Sequence, residues 1–304
     1  VTTSAYVAGA LVLAESLERV GAIGDRILFY VVSGDDGDDR SDITETDLSN
    51  LRRVGWELRK LSLRDGTLTQ CRTSEETQRK MEEKEELRGV KRYWGTCAKF
   101  AIFTLEEYEA VVYIDADSIV LHNFDFVYSY PTFDKILFAP GTPGCWKVAD
   151  FVCEEFYGAF LVVKPLPHIQ KYLHQVAEQA ELAMGELPLL NLVFKNSWQK
   201  LPYGTLVAAT DDMRPILNHK KHQYEVDWSL INVYDFSGPP KAKPWNTLDL
   251  QQRHNDYLLH GYFGKVQQDS RLDHFYLRPQ LMWNEHYAAV LTKLGSASNQ
   301  EAST

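Results

Sequence analysis

Ala110-Val-Val-Tyr-Ile114 is a continuous apolar run that stops abruptly in Asp115-Ala116-Asp117 and resumes as Ile119-Val-Leu121. A run of this kind, rich in β-branched residues, reads as a strand covered on both faces. Both carboxylates then emerge at the carboxyl end of a central strand, where open α/β sheets bind their ligands. Two acids in a turn are ordinarily a solvated loop, and the strand in front of them is what distinguishes this pair. Set two apart, they can converge on one hard cation through several oxygens.

The flanking pattern supports an α/β fold. The opening residues read as the end of a strand and a small-residue turn, so a natural N-terminus is expected to lie outside the sequence. A helix with Ala10, Leu13, Ala14 and Leu17 on one face follows, and Gly21 and Gly24 stop it. Ile27 to Val32 is a second continuous apolar strand, closed by the Ser33-Gly-Asp-Asp loop. Helices are expected over 44–56, 94–108, 168–182 and 189–198, and strands over 57–61, 136–139 and 159–163. Residues 75–92, dense in both charge signs, read as a solvated segment placed where a lid could sit. Past Pro244 the chain is rich in Trp, Tyr and His without clear period.

Composition excludes several classes of function. A formal net charge of -10 repels phosphate backbones and anionic lipid surfaces, so no nucleic acid and no membrane is expected as partner. No apolar run approaches the length of a membrane-spanning helix. Cys71, Cys97, Cys145 and Cys153 show no CxxC spacing, so neither a zinc site nor a dense disulfide framework is indicated and a reducing compartment fits best. No N-glycosylation acceptor pattern occurs either, and a cytoplasmic protein is expected.

At three segments the sequence resembles the glycogenin-like, family-eight retaining glycosyltransferases. Val111-Val-Tyr-Ile-Asp-Ala-Asp-Ser-Ile-Val-Leu121 is similar to that family's metal-binding strand, and Val1-Thr-Thr-Ser-Ala-Tyr6 to its first strand and helix, where the Thr-Thr and Tyr positions line the uridine pocket. Lys99 stands sixteen residues before Asp115, the spacing of the family's donor-binding lysine. Later, Leu190-Asn191 resembles a family helix, and Asp235-Phe-Ser-Gly238 with Lys243-Pro-Trp245 resembles a late His-Phe-x-Gly and Lys-Pro-Trp motif. There the histidine is the third metal ligand and the lysine holds the diphosphate. In this chain Asp235 occupies the histidine position, and the alternative ligand is a nearby histidine such as His260.

The resemblance implies a GT-A type single domain over residues 1–290, with a mostly parallel central sheet flanked by helices and a frayed tail over 291–304. It implies Asp115, Asp117, Lys99 and Glu186 as the catalytic set and Asp115, Asp117 and Asp235 as metal ligands. Donor contacts would come from Thr2, Thr3, Tyr6, Lys99, Ala116, Gly238 and Lys243. The implied co-substrate is UDP-galactose or UDP-glucose with Mn2+, or Mg2+ in its place. The product is a hexose on a glycan or glycoprotein acceptor, as in cytoplasmic α-galactosyltransferases related to glycogenin, and a homodimer is expected.

Two departures touch the sugar and acceptor pockets: the family's Asn-Ser-Gly appears as Tyr157-Gly-Ala159, and its Asp-Gln pair as Glu186-Leu187. Leu201-Pro-Tyr-Gly-Thr205 puts threonine where a self-modifying primer carries its tyrosine, with Tyr203 displaced. Transfer to another molecule is therefore expected over self-glucosylation, and over a catalytically silent scaffold.

Overall fold

The computed structural model describes residues 4–32, 43–62, 96–130, 135–141, 154–179, 185–202, 204–208, 228–237, 243–246 and 273–301. Within these, five α-helices are α1 (Val7–Arg19), α2 (Glu45–Arg53), α3 (Pro167–Gln179), α4 (Glu186–Phe194) and α5 (Asp273–Glu301). Nine strands are β1 (Ile27–Val32), β2 (Glu57–Ser62), β3 (Val111–Ile114), β4 (Ser118–Val120), β5 (Leu137–Ala139), β6 (Phe160–Val163), β7 (Trp198–Lys200), β8 (Leu206–Ala208) and β9 (Val233–Asp235).

Local chemistry sets several boundaries. Thr44 caps α2 reciprocally with Asp47: the Thr44 hydroxyl accepts from the Asp47 N–H at 3.1 Å, and the Thr44 N–H donates to the Asp47 carboxylate at 3.0 Å. Pro167 opens α3, where its missing N–H costs nothing. Trp198, expected at the end of a helix, instead starts β7. Thr96–Thr104 is 3-10 rather than α-helical.

The strands form three ribbons, β1-β2, β3-β6-β5-β7 and β4-β9-β8. Mixed helix and sheet is as expected, but the strand directions are more mixed than a mostly parallel sheet. β1–β2, β5–β7 and β8–β9 are parallel, while β3–β6, β5–β6 and β4–β9 are antiparallel. An unbroken apolar run reports burial on both faces, and an antiparallel strand covered by helices on either side looks the same.

β6 demonstrates that burial. Phe160 and Val162 join one cluster with Leu11 of α1 and Leu51 of α2, whereas Leu161 and Val163 join another with Leu173 of α3 and Leu190 of α4. A third cluster packs Trp283 of α5 on Val12, Ile119 and Tyr234. Residues 291–301, read from sequence as tail, continue α5, so the boundary expected after residue 290 falls inside a helix. Lys293 pairs with Glu15 at 2.6 Å, and Arg53 donates to the Leu294 carbonyl at 2.7 Å, which ties that helix to α1 and α2. Among the described residues no helix is long and apolar enough to cross a membrane.

Candidate active site

β3 ends at Ile114 and the backbone turns: the Asp115 N–H donates to the Ala159 carbonyl at 2.9 Å, and the Ser118 N–H to the Asp115 carbonyl at 3.1 Å. The turn presents Asp115 half-exposed and drops Asp117 into the protein. β4 then pairs antiparallel with β9, with Ser118 opposite Asp235, and the Phe236 N–H reaches the Asp117 carbonyl at 2.9 Å. This register, joining parts of the chain over a hundred residues apart, brings the third carboxylate to the first two.

Asp115, Asp117 and Asp235 each offer an oxygen within 4.8 Å of the others. Oxygens sharing one ion lie at most two bond lengths apart, about 4.2 Å for Mg2+ and about 4.6–5.2 Å for Ca2+. The three carboxylates therefore fit one hard divalent cation with little rearrangement, and an all-oxygen set disfavours the softer metals that seek imidazole or thiolate. Asp235 is held by two hydroxyls, Ser118 Oγ at 3.2 Å and the Tyr157 phenol at 3.2 Å. Burial pushes its carboxyl well above the usual carboxylate range, and the neighbouring Asp117 and Asp115 add to the effect. Asp117 is raised too, first by burial, although Lys243 pulls against it.

Two buried lysines answer this charge. Lys243 Nζ bonds the Asp117 carboxylate and donates to the Phe236 carbonyl at 2.8 Å, while lying 5.9 Å from the Tyr6 ring centre. Tyr6 packs edge-on against Trp245, centroids 5.4 Å apart. Lys99 Nζ donates to Glu186 at 2.5 Å and to the Gly158 carbonyl at 2.8 Å, stands 3.5 Å from Asp115, and lies 4.7 Å above the Tyr113 ring. Burial alone would lower the pKa of Lys99, but Asp115 and Glu186 outweigh it and hold the ammonium above its ordinary range. Lys243 is likewise raised: burial opposes its charge and Asp117 with Asp235 overcome it.

Of the residues singled out from sequence, Asp115, Asp117, Asp235, Lys99, Glu186, Lys243, Tyr6 and Ala116 meet at this edge. Ala116 is buried, and its carbonyl lies where a Cβ on Gly9 would be 2.3 Å away, so α1 approaches as only glycine permits. Thr2, Thr3, Gly238, His260 and Tyr203 lie outside the described residues. Two contacts escaped sequence reading. Tyr113 donates to Asp115 at 2.5 Å, a partner that strand alternation could have supplied, since residues two apart share a face. Tyr157, in the segment expected to touch the sugar and acceptor pockets, braces Asp235. Asn191 is structural: it accepts from the Phe156 N–H at 2.8 Å and returns a bond to the Phe156 carbonyl at 3.1 Å.

Cys97 is fully buried and disulfide-bonded, its partner lying outside the described residues. That removes the cysteine argument for a reducing compartment, since such bonds persist where conditions are oxidising.

Comparison with known proteins gives similarities in sequence and in fold. No family model matches the chain. A putative UDP-glucuronate:xylan α-glucuronosyltransferase of Arabidopsis thaliana is 29% identical over 145 residues, 46% of this chain and 21% of that protein. Glycogenin-1 of Oryctolagus cuniculus is 27% identical over 195 residues, 56% of this chain and 50% of that protein. The matches thus span a fifth to a half of these relatives. Among solved structures, the glycosyltransferase GlyE of Streptococcus pneumoniae superposes with a TM-score of 0.54 at 16% identity, covering 97% of this chain and 63% of that one. The galactosyltransferase LgtC, solved with donor and acceptor sugar analogues, gives 0.55 at 16% identity over 80% of this chain and 87% of that one. In sequence the chain is similar to glycogenin and to xylan glucuronosyltransferases, and in fold it matches the GT-A glycosyltransferases.

Proposed function

We propose that this protein moves a hexose from a UDP-sugar to a hydroxyl of a separate glycan, with retention at the anomeric carbon. The observation that carries the reading is the cluster of three carboxylates at the carboxyl ends of β3 and β9, flanked by two buried lysines. A divalent cation, manganese first and magnesium second, would be held by Asp115, Asp117 and Asp235 and would supply charge to the diphosphate as UDP departs.

In this reading Lys243 and Tyr6 face the donor from the α1 side, and Lys99 faces it from the Glu186 side. The acceptor oxygen attacks the anomeric carbon on the face from which UDP leaves. The bond to the β-phosphate oxygen breaks with its electron pair, and that oxygen takes the acceptor proton. A covalent intermediate on Glu186 is disfavoured because Lys99 already engages its carboxylate.

The site also bears on donor and acceptor. Four acids, Asp115, Asp117, Asp235 and Glu186, face two lysines, so a divalent cation is needed to balance the set before the diphosphate adds its own charge. Thr205, at the self-modified position, is fully buried and its hydroxyl donates to the Pro202 carbonyl at 2.8 Å, which supports an external acceptor. Incubation with Mn2+ and UDP-glucose, UDP-galactose or UDP-glucuronate, followed by UDP release and intact mass, is the test. Release with a neutral hexose, dependent on Asp115 and without mass gain on the protein, is expected. No release with any donor would overturn the reading.

A further inference from the structure

Every carboxylate of the cluster is held by a proton donor of the protein. Tyr113 donates its phenol to Asp115 Oδ1 at 2.5 Å, and Lys243 engages Asp117 Oδ2. Asp235 accepts from Ser118 at Oδ1 and from Tyr157 at Oδ2, each at 3.2 Å. The two phenols come from neighbouring strand ends. Tyr113 belongs to β3, Tyr157 lies three residues ahead of β6, and the two strands pair with Ile114 opposite Phe160. Tyr113 is 8% exposed and its ring lies under the Lys99 ammonium, 4.7 Å from it, so its hydroxyl has little freedom to swing away. Three carboxylates with oxygens within 4.8 Å of one another repel, and unbraced side chains would turn apart.

We propose that Tyr113 and Tyr157 are positioning residues: they make Asp115 and Asp235 offer one oxygen each to the cation, and so favour a compact octahedral ion over Ca2+. This rests on the reading that the three carboxylates hold a divalent cation. Chelation by both oxygens of Asp115 would use Oδ1, which Tyr113 already engages and which stands 3.5 Å from the Lys99 ammonium. Turning Asp235 to present both oxygens would break its bonds to the hydroxyls of Ser118 and Tyr157. An ion of the Mg2+ and Mn2+ kind is satisfied by one oxygen from each carboxylate in octahedral geometry, whereas Ca2+ accepts about 6–8 oxygens and readily takes both from one carboxylate. A hydrogen bond to a ligand oxygen also withdraws charge, which on its own weakens the metal bond. Orientation is the larger effect, since removing such an outer partner costs on the order of 10–100-fold in metal affinity.

The test needs no turnover. Mn2+ and Ca2+ are titrated calorimetrically into the wild type, Tyr113→Phe, Tyr157→Phe and Asp115→Asn, without donor or acceptor. Tyr113→Phe keeps the ring, and Asp115 is 32% exposed, so water takes the place of the lost phenol and the fold is kept. This variant is expected to weaken Mn2+ binding at least ~10-fold and Ca2+ binding less, so that the preference between the ions shrinks. Tyr157→Phe should shrink it by a smaller factor, because Ser118 still holds Asp235. A merely structural role would weaken both ions alike and leave their ratio where it was. An unchanged ratio in either variant, or tighter Mn2+ binding in either, would overturn the positioning role. Mn2+ binding that is equal in the wild type and Asp115→Asn would instead overturn the metal reading beneath it.

Discussion

Two groups of charges sit at opposite ends of α1, and they differ in burial. Beside the start of the helix, Lys243 faces Asp117 and Lys99 faces Glu186, all with side chains no more than 11% exposed. At its far end Arg19 bridges Glu15 and Glu285, and Lys293 bridges Glu15 and Glu18, with both cations and two of the three acids at least 38% exposed. The surface network trades water for ion pairs at little net gain. The buried pairs gave up most of their water, so losing one partner strands the other. Charge is kept dry at the candidate site and left wet where it only trims a helix contact.

The sharpest way to break the contrast is at the aspartates. Asp115→Asn and Asp117→Asn should each lower UDP release at least ~10³-fold, because several kcal/mol of leaving-group stabilisation goes with the metal. Only Asp117→Asn should also lower the melting temperature, as it leaves Lys243 buried without its closest partner, whereas Asp115 is 32% exposed. Equal melting of the two variants would mean that burial does not separate them. Next in size, Lys99→Met should cost about 3–5 kcal/mol by stranding Glu186. The Lys99→Met/Glu186→Leu double variant should recover most of that loss, and a denaturant-melt cycle reads the coupling.

A pH series sharpens the comparison at the intermediate burial of α5. His286 is buried with Nδ1 unpartnered, and burial holds its pKa below the ordinary 6.5; Arg19 pushes the same way, while Glu285 and Glu15 oppose. The unfolded chain takes up this proton first, so stability is full above 6.5 and falls as pH drops toward the folded value. His286→Leu should flatten the melting temperature between pH 7 and 5, and an unchanged slope would place the acid sensitivity elsewhere. Smallest of all, Glu285→Ala should change stability by no more than ~0.5 kcal/mol in chemical denaturation, because that carboxylate is 68% exposed.

Much of the site was legible because strands leave a strong mark: apolar runs located β1, β3 and β6, and the aspartates stood at the break in one of them. Lys99, Asp235 and Lys243 were found through the resemblance, and the structure brings them to the same edge. What sequence could not supply was partnership across distance. Nothing local connects Lys99 to Glu186, 87 residues away, or Tyr157 to Asp235, 78 away. Strand direction was illegible for the reason that burial looks alike either way. α5 was missed because it carries Pro279 and because its buried stripe, Gln280, Trp283, His286 and Val290, alternates polar with apolar residues, so no apolar pattern marks it.

The pairing of β4 with β9 has a consequence in time. Asp117 and Asp235 are separated by 118 positions, so during synthesis the early strand must wait, one ligand short, until the late one has emerged. Contacts of such separation form slowly. Assembly of the three-carboxylate cluster is therefore a late event on the ribosome's schedule, and a chain terminated before Val233 could never bring the third carboxylate to the first two.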